Sequence, residues 1–236
     1  MRLATSVDYL RGLSSVLSEQ RAILSLAVLI RATMESSAVA CWLLEPSIGA
    51  HARALRGLLE WAISMNEVIA GGVNPDHARD ELERISRSCA KRGLVFKRDR
   101  RGRPLSLGGI ERPHYVSLLE DQLGEGGGNT YRLLSAISHG SPHGVLERMM
   151  LPIHEAGDND SSDQSAPRQG MVHLRADELI ALCSVAFVSF CQAWSRMVDL
   201  LAGDTTSWDA LLKEGRRLAT RTYEEIAGEV RLEGSD

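Results

Sequence analysis

The chain has almost no strand signal. Apolar and polar residues alternate as in a half-buried strand only near 94–107, where at most one small β-hairpin fits. Its four cysteines, Cys41, Cys89, Cys183 and Cys191, lie far apart with no CxxC pair. That pattern fits buried, reduced thiols in a cytoplasmic protein better than a disulfide or thiolate-metal framework. The glycine-rich stretch 124–128 is not followed by Gly-Lys-Ser/Thr, so it is no P-loop and reads as a flexible break. There is no internal repeat. No N-terminal signal is evident, because Asp8, Arg11, Glu19 and Arg21 interrupt any hydrophobic region. The longest uncharged stretch, 179–195, contains Ser184, Ser189 and Gln192 and falls short of the ~20 apolar residues of a membrane span. A buried central helix is expected there, with no membrane partner. The net charge of −4 over 236 residues is mild and gives the whole protein no strong field toward nucleic acid or membrane.

What the chain does have is helical periodicity. With 44% hydrophobic residues it can bury one good core. We expect a single all-α domain over 1–236, a helical bundle of seven or eight helices. Residues 5–18 carry Val7, Leu10, Leu13 and Val16 on one stripe. Residues 20–44 are apolar on more than one face, until Pro46 ends the helix. A third helix spans 48–70, with Arg53, Arg56, Glu60 and Glu67 opposite its core stripe, and Gly71-Gly72 stops it. Asn74-Pro75-Asp76 starts a charged helix to about 92, whose thin stripe (Ala78, Leu82, Ile85, Cys89) places it on the surface. Short helices follow at 113–123, 131–139 and 141–152, then the apolar helix 176–202 and a last helix from 206 to about 230. The polar stretch 155–169 reads as a flexible loop. The helices at 20–44 and 176–202 are expected at the centre.

Residues 91–103 change character. Lys91, Arg92, Lys97, Arg98, Arg100, Arg101 and Arg103 face a single acid, Asp99, inside an ordered basic loop at 94–113. Such a patch suits a phosphate backbone; it also suits a merely solvated loop.

The best chemical candidate is the stretch 131–140, Tyr-Arg-Leu-Leu-Ser-Ala-Ile-Ser-His-Gly. Leu133, Leu134 and Ile137 form its apolar stripe, and Gly140 and Pro142 close it. Arg132 and His139 are seven residues apart, so both leave one face, roughly 10 Å apart along the axis. That face carries a permanent cation and a group of the kind that titrates near neutrality. Ser135 and Ser138 lie close by. Arg31 and Glu35 sit one turn apart inside the apolar helix 20–44, a spacing that is costly to bury unless both partners are satisfied.

An arginine followed at six intervening residues by a histidine, on a helix of an α-bundle, resembles the HEPN superfamily. The 131–140 stretch looks like the short motif of bacterial HEPN-like domains of unknown function. Arg31-Ala-Thr-Met-Glu35 and Trp42-Leu43-Leu44 look like the Arg-x3-Glu and Trp-Leu-Leu segments those domains often carry. The resemblance covers residues 20–153 loosely and the two short motifs closely. It implies a metal-independent endoribonuclease without cofactor, or an RNA-binding module. His139 would move a proton at the ribose 2′-hydroxyl and Arg132 would hold the scissile phosphate. Beside that resemblance, the position of Arg31, Glu35, Tyr131, Ser135 and Ser138 makes them candidate binding residues, and the basic cluster Lys97, Arg98, Arg100, Arg101 and Arg103 is the candidate contact to an RNA backbone. The resemblance also implies a homodimer formed through the 129–153 region.

Two other chemistries fit the same residues. His139-x3-His143-x3-Glu147 has metal-ligand types, but Gly140 and Pro142 break the helix between the histidines, so no metal site is expected. Arg31, Glu35, Tyr131, Arg132 and His139 could instead form one buried polar network. That network would make a non-enzymatic helical module that binds a small molecule or a protein partner.

Overall fold

The computed structural model describes residues 2–19, 23–72, 74–139 and 176–201. Among them lie seven helices: α1 (Arg2–Glu19), α2 (Ile23–Leu43), α3 (Ala50–Ala70), α4 (Pro75–Ala90), α5 (Tyr115–Leu123), α6 (Glu125–Ser138) and α7 (Ala176–Leu200). A small antiparallel sheet runs β1 (Phe96–Arg98), β2 (Pro104–Leu107), β3 (Ile110–Glu111), in that order. The fold is mostly α. The hairpin expected near 94–107 gains a third strand, because Gly108 and Gly109 both take positive φ (57° and 84°) and turn the chain back. The helices expected at 141–152 and beyond 206, and the loop at 155–169, lie outside the described residues.

The chain divides into two compact units, Met1–Ala40 with Tyr115–Asp236, and Cys41–His114. In the first unit α2 supplies the largest share of the buried residues of any one helix. Leu26, Ala27, Ile30, Met34, Ala38, Val39 and Ala40 are buried, together with Thr33, Ser36 and Ser37. Buried hydroxyls need partners. Thr33 Oγ1 donates to the Leu29 carbonyl at 2.8 Å, and Ser37 Oγ lies 3.3 Å from the buried Ser6 Oγ of α1.

In α7 the buried side is narrower: Ala186, Ser189, Phe190, Cys191 and Ala193 are covered, while Phe187 is 42% exposed. Its Ser189 and Gln122 of α5 exchange two hydrogen bonds, at 2.9 and 3.1 Å. Counting uncharged residues alone understates these helices. Among the described residues Ser25–Leu43 and Leu179–Leu200 are both long and apolar enough to cross a membrane, at mean hydropathy 1.4, with 67% and 28% of each buried. The first is therefore the core helix of its unit; length and composition alone place neither in a bilayer.

The glycine run 124–128 is not a flexible break. Gly124 takes φ 74° and starts α6, and Gly126, Gly127 and Gly128 lie inside its first turns. A Cβ at Gly127 would sit 2.6 Å from Leu123 Cβ and 2.7 Å from the Leu119 carbonyl oxygen of α5. At Gly127 and Gly128 α5 and α6 approach too closely for side chains. That close hairpin extends α6 upstream of the expected 131–139 helix and fixes which way its later residues face.

In the second unit α4 buries Ala78, Leu82, Ile85 and Cys89, the thin stripe the sequence shows. The other face of α3 is not all solvent, as its charges suggest. Glu60 is buried and lies 3.5 Å from Arg112, itself mostly covered. Arg56 sits 4.9 Å above the Trp42 ring and donates to the Trp42 carbonyl, while Arg53 donates to the Glu45 carbonyl at 2.9 Å. These arginines satisfy carbonyls at the end of α2 that have no helical partner.

Candidate functional site: an arginine–histidine cluster on two helices

Arg31 and Glu35 are one turn apart on α2, and their side chains are 21% and 23% exposed. Arg31 Nε donates to Glu35 Oε1 at 2.8 Å. The same oxygen accepts from the Tyr131 hydroxyl of α6 at 3.0 Å. The Arg31 guanidinium carbon lies 5.5 Å from the centre of the Tyr131 ring, within cation–π range. Tyr115 packs on the same ring at 6.0 Å. His139 caps the end of α6, with its backbone N–H on the Ser135 carbonyl at 3.1 Å. Its Nε2 lies 3.2 Å from Arg31 Nη1. Arg31, Glu35, Tyr131 and His139 thus form one continuous cluster, half-buried at Tyr131 and open at His139.

The chemistry of this cluster follows from donor counting. A guanidinium has only donors, so His139 Nε2 must accept, which places the imidazole proton on Nδ1 in a neutral ring. Arg31 uses Nε–H on Glu35 and one Nη1–H on His139, and it also interacts with the Tyr131 hydroxyl. Burial works against the Arg31 charge, but Glu35 and Tyr131 outweigh it and hold the guanidinium above its ordinary value. Burial first, and then the Glu35 carboxylate beside it, push the Tyr131 phenol up to about 12 against the pull of Arg31. Tyr131 is a neutral donor here and no base. The open side therefore offers a permanent cation next to an imidazole whose lone pair is held by that cation.

Arg132 is not part of this cluster. Its Nη1 donates to Asn129 Oδ1 at 3.0 Å and its Nη2 to Glu120 Oε1 of α5 at 3.1 Å, on an exposed face. The shared face expected for Arg132 and His139 is therefore divided between two neighbours, α5 for the arginine and α2 for the histidine. The close α5–α6 hairpin brings Glu120 within reach and makes that division. Ser138 Oγ is turned back onto the Leu134 carbonyl at 2.7 Å, and Ser135 is half-buried. Sequence reasoning missed Glu120 and Asn129. Only the Asn129–Arg132 spacing of three was readable as a contact on a helix.

The basic residues of 91–103 lie in the second unit. Asp99 closes a turn between β1 and β2: its carboxylate accepts from the backbone N–H of Arg101 at 2.8 Å and of Arg103 at 2.9 Å, and from Arg103 Nε at 2.6 Å. Arg98 donates to the Gly102 carbonyl and to Ser86 Oγ, at 2.9 and 3.1 Å, and sits over the Phe96 ring.

Among the described residues no group of three or more His, Cys, Asp or Glu could hold a metal ion. His143 and Glu147 lie outside them. All four cysteines are free. Burial pushes the Cys89 and Cys183 thiols up, which disfavours their thiolate forms. Comparison with protein-family models, curated proteins and solved structures gives no match to this chain.

Proposed function

We propose that this chain is an HEPN-like helical protein that binds RNA and cleaves it without a metal, at the cluster around His139. The observation that carries the reading is the 3.2 Å contact between Arg31 Nη1 and His139 Nε2 at the open end of the cluster. A phosphodiester is a better partner for a guanidinium than a neutral imidazole is. A bound phosphate would draw Arg31 toward its oxygens and free the Nε2 lone pair. His139 would then take the proton of the ribose 2′-hydroxyl, the 2′-oxygen would attack phosphorus, and the 5′-oxygen would leave. Arg31 would hold the developing charge. Arg132, assigned that role by the HEPN resemblance, would have to give up Glu120 to share it.

The pairing of Arg132 with Glu120 and Asn129 favours a second reading. In it the same polar pocket is catalytically silent and binds a small molecule or a protein partner. The two separate by experiment. Purified protein is incubated with total RNA in EDTA, beside Arg31→Ala, Arg132→Ala and His139→Ala variants of matched stability. Cleavage that leaves 2′,3′-cyclic phosphate ends and disappears in His139→Ala is the expected result. Equal, absent cleavage in all four proteins would leave the silent module. The homodimer implied by the resemblance is part of the same proposal, and light scattering that shows a monomer at micromolar concentration would remove it.

A further inference from the structure

The second unit carries a charge the whole chain conceals. Residues 41–114 hold 13 Lys and Arg against nine Asp and Glu, while the rest of the chain holds 14 against 22. Within α4 three of the four acids pair locally, Asp76 with Arg79, Glu81 with Arg84 and Glu83 with Arg87, and Asp80 leaves the helix one acid in excess of its three arginines. The surplus therefore falls at the end of α4 and on the β1–β2 turn. There the only acid, Asp99, is consumed inside the turn by Arg103 and two backbone N–H groups. Its carboxyl is held below the usual range, first by the Arg103 backbone N–H. The charged groups of Lys91, Lys97, Arg100 and Arg101 are exposed and have no partner among the described residues.

We propose that this Asp99-closed turn is a second nucleic-acid site, one that grips a single-stranded backbone through Lys97, Arg100 and Arg101. Two features point to nucleic acid ahead of a membrane surface. The turn is ordered before any ligand arrives, with Gly102 at φ 79° and paired backbone groups at Asp99, Gly102 and Arg103. A diffuse anionic surface asks for no such order, whereas backbone gripping is strengthened by it. Beside the free cations, Arg98 is fixed 5.7 Å over Phe96 and tied to Gly102 and Ser86. A guanidinium held in place is a surface on which an unpaired base stacks. The inference stands on residues of the second unit alone; it rests on the reading of the preceding subsection only for the choice of RNA as probe.

The test uses the full chain and a labelled 20-nucleotide oligouridylate, titrated at several salt concentrations. Removing three phosphate contacts in Lys97→Ala/Arg100→Ala/Arg101→Ala lowers the slope of log K against log[salt] by about two, and weakens binding about tenfold or more at low salt. Asp99→Asn adds positive charge but opens the turn, so the built site predicts weaker binding. Tighter binding by Asp99→Asn would reduce the patch to bare charge and overturn the proposal. Wild-type binding that the triple variant leaves unchanged would overturn it too. So would binding to phosphatidylserine vesicles without binding to RNA. The cleavage assay on the same proteins keeps the two ideas apart. Turn-dependent binding without cleavage removes only the ribonuclease, and cleavage without turn-dependent binding removes only this site.

Discussion

Two arginine–carboxylate pairs at a spacing of four residues show how differently the same local chemistry can be used. Arg31 and Glu35 lie on a helix, about a fifth exposed, and every further bond they make reaches α6, some hundred residues away in sequence. Asp99 and Arg103 lie on a turn, and all the bonds of that carboxylate stay within five residues. The first pair is part of the tertiary structure and places a histidine. The second shapes only its own loop, and by absorbing the one acid there it leaves the neighbouring cations outward. Spacing specifies the pair; what surrounds it decides whether the pair is a structural member or a local clip.

The sharpest way to break this contrast is to remove the carboxylate of each pair. Glu35→Ala leaves the Arg31 guanidinium and the Tyr131 hydroxyl without their shared acceptor in a half-buried site. We expect a loss of about 2–3 kcal/mol, below the range for a fully buried pair because the site keeps some solvent. Chemical denaturation measures it, and a loss of a few tenths would make Arg31–Glu35 an ordinary surface pair. Tyr131→Phe removes one bond and should cost about 1 kcal/mol.

That variant also changes the alkaline limb of stability. The Tyr131 phenol has its ordinary value of 10 in the unfolded chain and about 12 in the folded one. The unfolded chain therefore gives up its proton first. Stability is undiminished below pH 10 and falls between pH 10 and 12, and Tyr131→Phe should flatten that fall by the contribution of this one group. A denaturation midpoint followed from pH 9 to 12 in both proteins checks the sign. The smallest global effect belongs to Asp99→Asn. Its melting temperature should be that of the wild type, while the amide hydrogens of Arg101 and Arg103 lose their exchange protection. A large drop in melting temperature would place Asp99 in the same structural class as Glu35.

Periodicity made the helices legible. The stripe Ala78, Leu82, Ile85, Cys89 on α4 is the one that is buried, and the many-sided apolar pattern of α2 is that of a core helix. What stayed hidden depended on approach between elements. Gly127 and Gly128 resemble a linker until α5 comes within 3 Å of where their side chains would be. Glu60 looks solvated because its partner Arg112 lies 52 residues on. In the cluster, Arg31, Glu35, Tyr131 and His139 could be grouped from the sequence because buried charges on an apolar helix demand partners. Arg132 was grouped with them on helical phase alone. Phase cannot tell which neighbour a long side chain will find, and here it found Glu120.

The central claim is that Arg31 and His139 act as one unit. It is tested most directly by nitrogen-15 NMR of the His139 imidazole at pH 8, where imidazoles are ordinarily neutral. The account predicts a proton on Nδ1 and an acceptor shift at Nε2 in the wild type, giving way to a tautomer mixture in Arg31→Ala. A proton on Nε2, or the same tautomer balance in both proteins, would contradict it.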